Sequence, residues 1–279
     1  VLFATKARFI PDTALDACHR EADLTGARLI RDALEQDRFV LHVQPIVNLH
    51  TGLTTQYEVL LRIAGDDCLV MPCQFVPAAE RLGLIKLVDR RVIDRSFELS
   101  AEHPDLTFDI NLSGATIDDE GLADYIVERL LFHGADPHRI VFELTETVAV
   151  SNIAKARDLA QRLIDFGCGF AIDDFGAGFS SFYYLKHIPA HYVKIDGGFL
   201  CAAHSRSDCR VIETINRTAH DLGKETIAEY VCDAERLRLV ESLGVDYGQG
   251  FHFSKPFPAA ELAGYSRQLL CPAAAPTPR

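Results

Sequence analysis

Short runs dominated by Val, Ile, Leu and Phe alternate along this chain with longer stretches whose apolar positions recur every three or four residues. The short runs predict strands at residues 39–45, 54–62, 107–112, 140–145, 169–174, 192–195, 226–229 and 245–248. The longer stretches predict helices at 77–81, 88–101, 121–132, 152–166, 208–222 and 234–243. Only a short turn with Asn48, Thr51 and Gly52 separates the first two runs, a hairpin spacing that forces an antiparallel pair. The remainder follows a strand-then-helix rhythm, which predicts a parallel sheet with crossover helices. About eight strands in one such rhythm fit a closed sheet better than an open one. The expected fold is therefore α/β, a TIM-like (β/α)8 barrel with one antiparallel strand.

The flanks differ in kind. Ala27, Ile30 and Leu34 form a helical stripe within the charged run 17–38, so residues 1–38 read as a linking helix from an upstream module. The barrel domain is then 39–270, and the Pro- and Ala-rich residues 271–279 read as a disordered tail. The chain opens on Val1 with no charged segment followed by an apolar one. That predicts no signal peptide and a fragment of a longer protein.

Composition narrows the function. Among 279 residues, 28 Lys and Arg face 40 Asp and Glu, a net charge of −12. Such a balance argues against contact with polymeric nucleic acid, which needs a basic face. No stretch of about 18 apolar residues exists, so nothing predicts membrane contact. The eight cysteines form no Cys-x-x-Cys pair and no zinc-knuckle spacing. They read as buried thiols of a reducing, cytoplasmic protein, whose parent could still be membrane-attached.

The predicted strands carry a recurrent chemistry at or near their ends. Glu58 interrupts an apolar strand; Asn111, Glu143 with Glu146, Asp173 with Asp174, Lys194, Glu229 and Gln249 follow on the later ones. In a parallel barrel these ends share one mouth. Carboxylates gathered there would repel one another severely without cations. The donors are oxygens, which select Mg²⁺ or Mn²⁺ over zinc or copper. The adjacent Asp173 and Asp174 let one carboxylate bridge two ions, the clamp used for in-line phosphodiester hydrolysis. Lys194 would orient or deprotonate the attacking water.

Alternative readings of single motifs fare worse. Asp173-Asp174-Phe175-Gly176 matches the metal-binding triplet of protein kinases, but the other kinase signatures are missing. The stretch Gly176-Ala177-Gly178 is only a weak match to a phosphate loop. Phe179, Phe182, Tyr183 and Leu185 read as core or interface residues rather than a base-stacking platform.

At these residues the sequence resembles the EAL family, bacterial phosphodiesterases of the second messenger cyclic di-GMP. The matching motifs are Gln44-Pro45-Ile46-Val47, Glu58-Val59-Leu60-Leu61-Arg62, Asn111-Leu112-Ser113, Glu143 to Glu146, Asp173 to Ser181, Lys194-Ile195-Asp196, Gln249-Gly250 and Ser254-Lys255-Pro256. The resemblance runs from about Phe39 to Pro258. It implies that Glu58, Asn111, Glu143 and Asp173 hold a first metal ion, that Asp173 with Asp174 holds a second, and that Glu229 belongs to the same centre. It implies that Lys194 and Glu229 hold the attacking water. Arg62 resembles a substrate-phosphate contact, and Gln44 and Gln249 resemble polar substrate contacts. Glu146 resembles an anchor for the loop through Phe175 and Gly176, which the family links to dimerisation. The implied reaction opens cyclic di-GMP to linear 5′-pGpG, in a homodimer fused to an upstream sensory or diguanylate-cyclase module. The alternative is a receptor that binds cyclic di-GMP and signals to a partner.

Four positions depart from the family's pattern. Val59 replaces Ala beside Glu58, and Ala177 and Phe179 replace the commoner Thr and Tyr. Cys232 stands where the family's Ala-Glu-x-Val-Glu carries a second carboxylate.

Overall fold

The computed structural model describes residues 12–66, 68–176, 182–202 and 206–264. The expected tail 271–279, the first part of the linking segment, and Ala177 and Phe179 lie outside the described residues.

Helix α1 (Asp12–Glu35) leads into β1 (Phe39–Asn48), which pairs antiparallel with β2 (Thr54–Ala64) along its length. Their turn is set by Asn48, whose Oδ1 accepts the N–H groups of His50 (3.1 Å) and Thr51 (2.9 Å), and by Gly52 at φ +69°. The left-handed backbone there favours glycine. A short β3 (Leu69–Val70), α2 (Pro72–Arg81) and α3 (Ile85–Glu102) follow. The chain then runs through β4 (Thr107–Asn111), α4 (Gly114–Ile117), α5 (Leu122–His133), β5 (Ile140–Thr145), α6 (Glu146–Ser151) and α7 (Ile153–Asp165). Beyond them come β6 (Gly169–Phe175), α8 (Phe182–Leu185), β7 (Tyr192–Ile195), α9 (Gly197–Ala202), α10 (Arg206–Asp221), β8 (Glu225–Ala228), α11 (Ala234–Ser242), β9 (Tyr247–Gln249) and β10 (Phe257–Pro258).

The sheet closes in the order β1-β2-β4-β5-β6-β7-β8-β9 and back to β1. β1 is antiparallel to both of its barrel neighbours, and the other pairings in the ring are parallel. This is the predicted eight-stranded α/β barrel with one reversed strand.

Boundaries shift where local bonds outweigh pattern. The helix expected at 77–81 starts at Pro72, where the Gln74 side chain accepts the Met71 N–H (2.9 Å) and Pro occupies a first-turn position that needs no donor. The last barrel strand starts at Tyr247, because the Val245 N–H still bonds Val240 O (3.1 Å) and closes α11.

Apolar side chains between sheet and helices form the core, with Phe97, Phe108, Phe142 and Phe170 fully buried. α1 docks on α2 through a close approach in which a Cβ on Gly26 would lie 2.5 Å from that of Ala78. No described helix is long and apolar enough to cross a membrane.

Candidate active site

Alternation along a strand sends every second side chain into the barrel. On β2 this turns Glu58 inward, in register with Gln44 of β1 and Asp109 of β4. Asn111 of β4 is in register with Glu143 of β5, and Asp173 of β6 with Thr145. β2 continues to Ala64, so Glu58 lies mid-strand rather than at a strand end; the long pairing with β1 carries β2 beyond its parallel partner β4.

Two consecutive strand residues normally face opposite sides. Asp174 departs from that rule with φ +53°, and the β6–β7 register shifts between Ile172 and Phe175. A non-glycine residue in this region is strained and is held there by its surroundings. Asp173, Asp174 and Glu229 each bring one oxygen within 4.8 Å of the others.

Lys194 of β7 is the centre of the arrangement. Its ammonium is fully buried and lies 3.3 Å from Glu58 Oε2, 3.0 Å from Glu143 Oε2, 3.2 Å from Asp173 Oδ1 and 3.2 Å from Glu229 Oε1. Burial opposes its charge, but Asp173, Glu143, Glu58 and Glu229 outweigh it and raise the lysine well above its ordinary value. One cation cannot satisfy four carboxylates. Burial pushes Glu143 well above the usual range, and repulsion from Glu58 and Asp173 adds to it. Burial likewise pushes Glu229 up to about 8, and burial with the neighbouring Asp173 pushes Asp174 up to about 6. Glu58, by contrast, is lowered: burial opposes this, but Lys194, Gln249 and Asn111 prevail.

The amides act on that same glutamate. Asn111 Nδ2 donates to Glu58 Oε1 (2.8 Å), and Gln249 Nε2 donates to Glu58 Oε2 (2.6 Å). Gln249 Nε2 also lies 3.3 Å from Gln44 Oε1, and Gln44 Nε2 donates to Ser254 O (3.1 Å). Gln249 therefore orients Glu58, with Gln44 holding Gln249 in turn, and both amides line the cavity.

A further polar layer lies below. Asp109 is fully buried and accepts both 2.9 Å and 2.8 Å contacts from Gln56 Nε2; burial pushes it up to about 7. Its signal in the sequence is its position two residues before Asn111, on the same strand face.

Around the mouth, a cavity of about 320 Å³ is lined by Gln44, Glu58, Asp174, Glu229 and Gln249, with Leu60, Tyr230, Cys232 and Phe251 at its walls. Glu146 Oε2 accepts the Gly176 N–H (2.7 Å) at the end of β6. Gly176 takes φ +103°, and a Cβ there would lie 2.4 Å from the Phe199 ring. Phe175 is buried against Phe182 and Tyr184. Arg62 stands apart: it is buried, with Nη1 donating to Leu61 O (2.7 Å), and is not among the described residues lining the cavity.

The donor set fits a divalent cation. Its ligand atoms are oxygens, and Asp173, Asp174 and Glu229 are close enough to share an ion. Among the described residues, no hydrogen-bond donor reaches the buried Glu143 Oε1 or Gln249 Oε1.

The sequence matches the EAL domain family over residues 27–256. It is 35% identical over 248 residues to the cyclic di-GMP phosphodiesterase PdeB of Shewanella oneidensis, covering 86% of this chain and 28% of that protein. The chain spans 28, 35 and 31% of three curated relatives it matches, about a third of their length. The structure is similar to that of the MucR phosphodiesterase of Pseudomonas aeruginosa in complex with cyclic di-GMP, at TM-score 0.81 and 33% identity, covering 85% of this chain and 99% of that one. It is also similar to the FimX EAL domain of Pseudomonas aeruginosa bound to cyclic di-GMP, at TM-score 0.80 and 29% identity, covering 88% and 98% of the two chains.

Proposed function

From the EAL family, to which this chain belongs, we propose its activity: metal-dependent hydrolysis of cyclic di-GMP to linear 5′-pGpG. The observation that carries the reading is the excess of buried carboxylates around Lys194, with oxygens that no donor among the described residues reaches. Asp173 and Asp174 would hold a pair of Mg²⁺ or Mn²⁺ ions, with Glu58, Asn111, Glu143 and Glu229 completing the set. Such ions supply the positive charge that stabilises an in-line displacement at phosphorus.

The chain's own groups supply the rest. Lys194 donates to, and Glu229 accepts from, the attacking water. Gln249 and Asn111 fix Glu58 so that its carboxylate does not turn away when the site fills. Glu146 holds the β6 end that carries Asp174, through the Gly176 N–H. Arg62, Gln44 and Gln249 are the polar contacts proposed for substrate, with Arg62 approaching only if its bond to Leu61 O is given up.

A second reading, a receptor that binds without cleaving, is favoured by one observation. Cys232 lines the cavity where the family carries a carboxylate. Incubation of the protein with cyclic di-GMP and Mn²⁺, then with EDTA in place of Mn²⁺, separates the two by chromatography. Linear dinucleotide formed only with metal supports the enzyme. Intact ligand bound stoichiometrically supports the receptor.

A further inference from the structure

Helix α3 presents a carboxylate to a turn that belongs to a different strand. Asp89 is 7% exposed, and its Oδ2 accepts three hydrogen bonds: from the Ser113 N–H (3.1 Å), the Ser113 hydroxyl (2.6 Å) and the Thr116 hydroxyl. Ser113 is the residue that opens α4. It follows Asn111 by two residues, and the Asn111 side chain holds Glu58 Oε1. The peptide between them is fixed from the other side, where the Leu112 N–H donates to Glu143 O (2.9 Å). α4 has little freedom to slide, because a Cβ on Gly114 would lie 3.0 Å from Val148 of α6.

A buried carboxylate is costly unless donors surround it, and here all three donors come from the one turn beyond Asn111. An amide or hydroxyl at position 89 could not gather them on one oxygen. We propose that Asp89 is a positioning residue for the acidic centre: it locks the β4–α4 turn so that Asn111 stays aimed at Glu58. The inference rests on the metal-dependent reading above. It assigns to a residue outside the cavity a part in how tightly the centre holds its cation.

The test compares wild type with Asp89→Asn, Ser113→Ala and Thr116→Val. Mn²⁺ uptake is read from the loss of the electron paramagnetic resonance signal of free Mn²⁺. Melting in EDTA checks the fold, and cyclic di-GMP hydrolysis is followed as a function of Mn²⁺. Supporting partners of a metal ligand typically change affinity by about 10–100-fold. Asp89→Asn is expected to bind Mn²⁺ about 10–100-fold more weakly, with KM for cyclic di-GMP at saturating Mn²⁺ unchanged. Ser113→Ala should move the same way by less, and the double variant should be no worse than Asp89→Asn, because the Ser113 hydroxyl acts through Asp89 Oδ2. Unchanged Mn²⁺ affinity in the folded variants overturns the inference, and so does a raised KM with Mn²⁺ affinity intact. Should Asp89→Asn fail to fold, Ser113→Ala decides on the same criteria. Wild-type protein that takes up no Mn²⁺ would overturn the phosphodiesterase reading and this inference together, whereas normal wild-type uptake unaltered by the variants overturns this inference alone.

Discussion

The two ends of the barrel both bury polar groups, and they treat them in opposite ways. Where the parallel strands begin, Asp246 accepts the Thr226 N–H (2.8 Å) and His220 Nε2 (2.7 Å). Asn216 Nδ2 donates to Leu243 O (2.9 Å), and its Oδ1 accepts the Thr226 hydroxyl (2.5 Å). Lys224 Nζ donates to Ile188 O (3.0 Å) and Ala190 O (2.8 Å). These bonds tie the loops, strands and helices of that end to one another. Where the strands finish, four carboxylates share one ammonium, and among the described residues no donor reaches the buried Glu143 Oε1 or Gln249 Oε1. Buried polar groups that only hold a fold are mostly satisfied, although where the parallel strands begin the Thr54 hydroxyl, at the start of β2, meets no partner among the described residues. An end left anionic and unsatisfied is the place where stability has yielded to a ligand.

The hardest test of that contrast removes the shared acid. Asp173→Ala should lower cyclic di-GMP hydrolysis by about 10³-fold or more, equivalent to roughly 4 kcal/mol of transition-state stabilisation. In the same variant the stabilisation that excess Mn²⁺ gives the wild type, about 2.7 kcal/mol at a hundred times Kd, should disappear from the thermal melt. Full turnover by Asp173→Ala would end the two-ion reading. The mirror experiment is Asp246→Ala at the opposite end. It strands the Thr226 N–H and His220, so it should cost about 1–3 kcal/mol of stability while leaving Mn²⁺ uptake as in wild type. An Asp246→Ala protein that melts normally but loses Mn²⁺ would show that the two ends are not separate.

The contrast also explains what could be read from residues alone. The β/α rhythm and the hairpin turn exposed the barrel and its reversed strand, because both depend on periodicity and on turn chemistry. Glu58, Asn111, Glu143, Asp173, Lys194 and Glu229 stood out because a charged or amide group in an apolar strand is anomalous. Asp109 and Gln56 did not stand out, since their pairing needs the β2–β4 register, which no single strand contains. Asp89 was hidden for a different reason: on a helix surface an acidic residue is ordinary, and only packing of α3 on the β4–α4 turn makes it buried. The positive φ at Asp174 is likewise invisible in a sequence that reads as a plain strand.

A smaller effect distinguishes the two ends by the sign of their titration. Without metal, burial holds Glu229 up to about 8 and, with Asp173, holds Asp174 up to about 6. The folded state then keeps protons that the unfolded chain has released, so stability must fall as pH rises from the ordinary carboxylate range to about 8. Asp246 works the other way. Burial would raise it, but the Thr226 N–H and His220 outweigh burial and hold it below its usual range. Its contribution is present above the ordinary aspartate value and lost as pH falls through the folded one. Melts in EDTA across pH should therefore show Glu229→Gln flattening the neutral-to-alkaline limb and Asp246→Asn flattening the acid limb. Saturating Mn²⁺ should remove the first slope and leave the second. Slopes of the same sign at both ends would contradict the comparison.

The smallest expected effect concerns whether the acidic end is complete. Among the described cysteines the expected burial holds only for Cys168, whereas Cys68, Cys73, Cys201 and Cys232 are exposed. Cys232 stands at the cavity wall, with Sγ 3.5 Å from Asp233 Oδ2. Burial and the Asp233 carboxylate push its thiol up, so it carries no charge at neutral pH and cannot stand in for a carboxylate. If a second acid three residues after Glu229 assists the reaction, Cys232→Glu should raise kcat/KM by about two- to tenfold, roughly 0.4–1.4 kcal/mol. Cys232→Ser, which adds no charge, should leave it unchanged. The same Cys232→Glu protein should melt slightly lower in EDTA and recover with Mn²⁺, because the added charge joins an end already in anionic excess. A position that only shapes the turn into α11 predicts otherwise: Asp233 already caps that helix through the Glu235 and Arg236 N–H groups (3.0 and 2.9 Å), and a glutamate beside it would be neutral. An unchanged or lower rate in a well-folded Cys232→Glu variant would mean that this end of the barrel lacks nothing at position 232.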